Sequence, residues 1–185
     1  RYTQIRSSAA SYVYKRQPMI DFKNKLVPLI ETSRAIETVT QIAAFKDVVG
    51  LFFGAADASA SLGCKLAWEP LLYARHRVVL AASMFNLFTI DAPYFYIDKM
   101  AGLKEEAEAV KNLGFTGKAA IHPDQIDHIN EAFSPSPEEK AEAKKVLEEY
   151  QNSGGGAIKV DGQMIDEPIA EAMRLKITLG EEEKG

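Results

Sequence analysis

Two apolar runs that each stop at a carboxylate constrain this chain more than any other feature. Lys25-Leu-Val-Pro-Leu-Ile-Glu31 and Val48-Val-Gly-Leu-Phe-Phe-Gly-Ala-Ala-Asp57 are continuous, strand-sized and bounded by polar residues. Such runs suit strands buried on both faces, as in a parallel sheet packed under helices. An acid at the C-terminal end of such a strand sits where α/β folds place their ligands. Glu31 and Asp57, closing successive strands, therefore suggest two carboxylates converging on one hard cation. The competing explanation is that each acid caps the helix after its strand, because anions favour helix N-termini. Thr32 and Ser33 already supply caps after the first run, which weakens that explanation for Glu31; for Asp57 both remain open.

The same pattern repeats down the chain. An amphipathic helix over about Arg34–Phe45 carries Ile36, Val39, Ile42 and Ala43 at helical spacing. Ala58–Lys65 reads as a polar, small-residue loop. A longer helix over Pro70–Met84 precedes a strand, Leu87–Ile90, that ends in Asp91. A helix over Leu103–Leu113 is closed by Gly114 in the position that takes a left-handed conformation. A last strand, Lys118–Ile121, ends in His122-Pro-Asp-Gln125. Strands alternating with helices imply a parallel sheet with right-handed crossovers. In a barrel, Glu31, Asp57, Asp91 and His122 would ring one mouth, but an eight-stranded barrel takes about 250 residues, and this sequence has 185.

Beyond the strands, Ser136-Pro-Glu-Glu139 is a capping box with Pro at the first helical position, and it opens a helix from Pro137 to about Gln151. Asn152-Ser-Gly-Gly-Gly156 reads as a hinge. Ala157–Val160 and Gln163–Ile165 flank Asp161-Gly162 as a tight hairpin, and Asp166-Glu-Pro168 opens a final helix to about Leu179. The domain reading is an unassigned segment over 1–24, half of a barrel with its trailing helix over 25–152, and a hairpin–helix extension over 153–185. Within 1–24, Ser7–Val13 could be a short helix or strand. The extension holds few large apolar residues, so it should dock on another surface.

Bulk properties narrow the function classes. A net charge of -4 with no long basic run argues against a nucleic-acid partner. Cys64, the single cysteine, excludes an intramolecular disulfide and a cysteine-cluster metal site. No apolar stretch is long enough to span a bilayer. A cytoplasmic setting follows, or a mitochondrial matrix in a eukaryote. Arg1 in place of an initiator Met suggests the middle of something longer, and Glu181-Glu-Glu183 reads as a solvated end.

Six motifs in order carry a family resemblance. They are Pro28-Leu-Ile-Glu-Thr32, Phe53-Gly-Ala-Ala-Asp57, Tyr73-Ala-Arg-His-Arg-Val-Val-Leu-Ala-Ala82, Gly117-Lys-Ala-Ala-Ile-His-Pro-Asp-Gln125, Ser134-Pro-Ser-Pro137 and Asp161-Gly-Gln-Met-Ile-Asp-Glu-Pro168. Over residues 25–179 the chain resembles the citrate lyase β-subunit-like family of the HpcH/HpaI aldolases, which includes citryl-CoA, malyl-CoA and citramalyl-CoA lyases. Residues 1–24 do not match that pattern. The resemblance implies an α/β fold of the (β/α)8 TIM-barrel type, here the second half-barrel plus a C-terminal extension, assembled as a homotrimer acting on an acyl-CoA substrate. It implies Mg²⁺ held by Glu31 and Asp57, and Asp166 as a base reaching a neighbouring subunit's site. An N-cap role for Asp166 is the alternative, and the two are compatible. His122 and Pro123, on the loop after the last barrel strand, are the candidate cofactor-contacting pair; loop structure is the alternative for both. Arg75 and Arg77 read as surface or interface ion-pair residues, and Trp68 and Tyr73 as core or interface residues. The family's usual Gly-Ala-Glu-Asp reads Gly54-Ala-Ala-Asp57, so one acid beside the site is lost. The arginine usually credited with stabilising the enolate belongs to an early strand outside this sequence, so this chain on its own is expected to be inactive unless the missing half is supplied. An aldolase acting on free keto acids, and a noncatalytic family member, are the competing functions.

Overall fold

The structure, a computed structural model, describes residues 25–154 and 156–181. The element read at Ser7–Val13 and the acids Glu182 and Glu183 lie outside them. The chain forms two compact units that divide between Phe133 and Ser134.

The first unit is built on four parallel strands, β1 (Leu29–Ile30), β2 (Gly50–Phe53), β3 (Phe88–Asp91) and β4 (Gly117–Lys118), adjacent in chain order. Ile30 lies opposite Phe53, Phe52 opposite Ile90, and Asp91 opposite Lys118. Helices connect them: α1 (Ser33–Glu37), α2 (Val39–Ala43), α3 (Ala55–Leu62), α4 (Trp68–Met84), α5 (Met100–Asn112) and α6 (Gln125–Phe133). Side chains alternate along a strand. Ile30, Leu51 and Phe53 are therefore buried in one core with Val39, Leu71, Val78, Leu103 and Val110. On the opposite face Phe52 and Ile90 are only half-buried, whereas Phe88, two residues before Ile90, is buried.

Three elements differ from the sequence reading. The helix read over 34–45 is two helices parted at Thr38, whose amide and hydroxyl both donate to the Arg34 carbonyl oxygen, at 2.9 Å each, and such side-chain back-bonding bends a helix. The Ala58–Lys65 loop is mostly helix α3. Its Ala and Ser residues give no apolar period, but Gly63 closes it in a left-handed C-cap at φ 67°. Strand β4 stops at Lys118, so His122 sits on a loop instead of at a strand end.

In the second unit, α7 (Pro137–Asn152) starts at the Ser136–Glu139 capping box. The hairpin of β5 (Ile158–Val160) and β6 (Gln163–Ile165) turns through Asp161 and Gly162, at φ 48° and 91°. Positive φ at both central residues is the type I′ geometry that matches strand twist. The final helix α8 (Glu167–Glu181) follows. Val146, Leu147, Tyr150, Val160, Ile165 and Ala170 give this unit a small core of its own.

Candidate active site

Chain direction and register bring Glu31 and Asp57 to the same end of the sheet. Glu31 follows β1 directly, and Asp57 lies in the first turn of α3, after β2 and Gly54. The Gly54 amide donates to the Ile30 carbonyl oxygen at 3.0 Å. A Cβ at position 54 would come within 2.7 Å of the Glu31 Cβ, so only glycine lets the second loop pass this close to Glu31. The loops are tied again further out, where the Ser33 amide donates to the Ser61 hydroxyl at 2.9 Å. The cap of α1 is Thr32, whose hydroxyl accepts from the Ala35 amide. Glu31 is therefore not the cap of that helix. Asp57 occupies the first turn of α3 without the N-cap position, which belongs to Gly54.

Burial raises the pKa of Glu31 above its ordinary value, and the charge of Asp57 and a side-chain hydrogen bond with it push in the same direction. Like charges brought together repel, and a cation beside them would relieve that repulsion. Oxygen-only, acid-rich donor pairs suit Mg²⁺, which keeps several waters and takes one or two protein carboxylates. Glu31 and Asp57 meet that requirement. No group of three or more His, Cys, Asp or Glu side chains placed to hold a metal ion occurs among the described residues, so a cation here would depend on water or substrate oxygens for its remaining ligands.

Asp91 does not join this pair. It is 0% exposed, and Arg75 Nε reaches its Oδ1 at 2.9 Å while Lys118 Nζ reaches its Oδ2 at 2.9 Å. Lys118 also donates to Glu106 at 2.6 Å and to the Ala92 carbonyl oxygen at 2.7 Å. Arg75 lies 4.7 Å from the Trp68 ring centre and 5.3 Å from that of Phe53. Its Nη1 makes no hydrogen bond, and cation–π attraction stands in for one. Two sequence readings are corrected here. Asp91 does not ring the mouth, because two buried cations hold it within the fold, and Arg75 is in a buried ion pair, not a surface one. Arg77 instead donates to the Glu37 carbonyl oxygen at 2.8 Å. Trp68 packs on the core, whereas Tyr73 is 65% exposed.

His122 is half-buried, with Nδ1 accepting from the Asp124 amide at 3.3 Å, and Pro123 is exposed. In the second unit, the Asp166 carboxylate accepts from the Ile169 amide at 3.4 Å at the start of α8, the capping contact. The sequence reading missed Lys118, Glu106 and Gln125 as site-building residues. A lysine inside a strand between Gly117 and Ala119 was the available signal, since a charge there needs a buried partner.

An open parallel sheet with paired acids beyond its strand ends has the layout of part of a barrel enzyme. A sequence model of the HpcH/HpaI aldolase/citrate lyase family matches residues 7–123, and the chain belongs to that family. The match starts inside the segment 1–24, which corrects the reading of that segment as outside the family pattern. Human mitochondrial citramalyl-CoA lyase is 36% identical over 88% of this chain and 51% of its own length. The citrate lyase subunit beta-like protein of Mycobacterium tuberculosis is 34% identical over 78% of this chain and 55% of its own. A crystal structure of CitE from Mycobacterium tuberculosis, in complex with magnesium, acetoacetate and coenzyme A, matches with a TM-score of 0.79 at 32% identity, over 85% of this chain and 61% of that one. The chain spans about half the length of the curated relatives it matches. No helix among the described residues is long and apolar enough to cross a membrane.

Proposed function

We propose that this chain forms part of a Mg²⁺-dependent carbon–carbon lyase that cleaves a 3-hydroxyacyl-CoA of the citryl-, malyl- or citramalyl-CoA type into an acyl-CoA and a keto acid. The juxtaposition of Glu31 and Asp57 carries this reading. Magnesium and coenzyme A in the CitE complex support it.

Glu31 and Asp57 would hold the ion, and Gly54 keeps the space beside Glu31 clear. When bound, Mg²⁺ supplies Lewis-acid stabilisation and a template for substrate oxygens. Asp166 would take the proton of the substrate hydroxyl. The C–O bond then becomes a carbonyl, the C–C bond breaks, and its electron pair passes to the thioester α-carbon, which is later protonated. Asp166 would act in the site of a neighbouring subunit, in a homotrimer. A lone cysteine fits a cytosolic or matrix setting.

The test is turnover of citramalyl-, malyl- and citryl-CoA against the matching free acids, with Mg²⁺ and with EDTA. Thioester cleavage that EDTA abolishes is the expected result. Cleavage of free acids alone would point to the aldolase branch, and turnover unaffected by EDTA would end the metal assignment. For Asp166, subunits carrying Asp166→Ala are mixed with subunits carrying Glu31→Gln. Activity should return in the mixture, and its absence despite subunit exchange would count against action between subunits.

A further inference from the structure

The loops after β3 and β4 are joined by two buried side chains. Lys118 donates to the carbonyl oxygen of Ala92 at 2.7 Å. Two residues on, the Tyr94 carbonyl oxygen accepts from Gln125 Nε2 at 2.9 Å. The other end of the same amide, Oε1, accepts from the Ile121 amide at 3.0 Å. Gln125 is 0% exposed, so each amide end has one backbone partner, and those partners belong to different loops. The second loop is a tight turn, with the Gln125 amide donating to the His122 carbonyl oxygen at 3.1 Å and the Ile126 amide to that of Pro123 at 3.0 Å. The first loop carries Phe95, Tyr96 and Ile97, at 41%, 58% and 42% exposure. A buried amide that made neither bond would leave a carbonyl and an N–H unpaired, so this geometry is specified, not incidental.

We propose that Gln125 is a positioning residue that locks the Tyr94–Ile97 loop and the His122–Pro123 turn into one rim, which presents a fixed surface to the CoA thioester. The substrate half of this inference rests on the lyase reading above; the clamp itself does not.

Gln125→Met separates the clamp from simple volume filling, because it keeps the size and removes both polar ends. Chymotrypsin cleavage after Phe95 and Tyr96, and hydrogen exchange at the Ile121 amide, should both accelerate by roughly ten- to hundredfold, the factor that orphaned buried groups impose. Exchange at Leu51 and Phe53 should not change. Loosening of one loop alone, or of neither, would overturn the clamp. If the variant does not fold, native-state exchange of the unmutated protein decides: both loops must open with the same denaturant dependence, and separate openings refute the proposal.

The substrate half is read from kinetics with citramalyl-CoA as probe. KM should rise roughly fivefold with kcat within about twofold, as expected when binding and not chemistry is disturbed. Loosened loops with KM unchanged would overturn the positioning role. If neither protein turns over thioester when the other half of the barrel is supplied, the lyase reading fails and the proteolysis and exchange results still settle the clamp.

Discussion

Glu31 and Asp91 make an instructive pair. Both are acids at the C-terminal ends of strands that flank β2 in one sheet, and both looked equivalent as endings of apolar runs. Asp91 is fully buried and faces two cations. Glu31 is half-buried and faces another carboxylate. A buried acid held by Arg and Lys is part of the framework. An acid held beside a second acid costs stability that the fold retains, and perturbed groups of this kind cluster at functional sites.

The largest test of this contrast is Asp91→Ala, which strands Arg75 inside the protein. Removing one partner of a buried pair costs about 3–5 kcal/mol, a large share of a domain's total stability, and denaturant unfolding would show it. If stability hardly changes, the framework assignment of Asp91 is wrong. The second test inverts the first. Asp57→Asn should hold or slightly raise stability without divalent ions, because it removes the repulsion on Glu31, yet abolish the gain on adding Mg²⁺, which for a ligand at a hundred times its Kd is about 2.7 kcal/mol. Thermal melts with and without Mg²⁺ measure it, and an equal shift in both proteins would dissociate Asp57 from the ion. Third, Thr32→Ala should cost about 0.5–2 kcal/mol through loss of the α1 cap, whereas Glu31→Gln should not weaken that helix. The reverse order in equilibrium unfolding would make Glu31 a capping residue after all.

The smallest effect is in the pH dependence. Because the Glu31 pKa is raised in the folded protein, the native state holds more protons than the unfolded chain between the ordinary carboxylate pKa and the raised one. In EDTA, stability should therefore fall as pH rises through that window, and Glu31→Gln should flatten the fall. Denaturant midpoints across the acid range provide the check; a rise in stability over the same range would contradict the sign.

What could be read from the sequence followed the strength of local signals. The strands around Ile30, Phe53 and Ile90 were legible because their β-branched and aromatic runs are strand-sized and bounded by polar residues, which decides against a buried helix. The Ser136 cap and the Asp161-Gly162 turn were legible because their chemistry is local. Helix α3 was not, since Ala58-Ser-Ala-Ser61 lacks a period and its fixing contact, Ser61 with the Ser33 amide, spans distant residues. The Asp91 network was invisible for the same reason: its members, Arg75, Lys118 and Glu106, come from α4, β4 and α5. The closeness of Glu31 to Asp57 was anticipated from strand order, but the part played by Gly54 depends on the loop path.

That network also bears on how the two units respond to ionic strength. Arg75, Asp91, Lys118 and Glu106 carry two charges of each sign, mostly out of reach of solvent ions. The described ion pairs of the second unit, Lys145 with Asp161 and Arg174 with Glu167 and Glu171, lie on exposed side chains. Salt weakens exposed pairs far more than buried ones, because the Debye length shrinks from about 10 Å at 0.1 M to about 3 Å at 1 M. Added sodium chloride should therefore loosen the hairpin and its flanking helices while the sheet holds, so that hydrogen exchange in concentrated salt separates one half of the chain from the other.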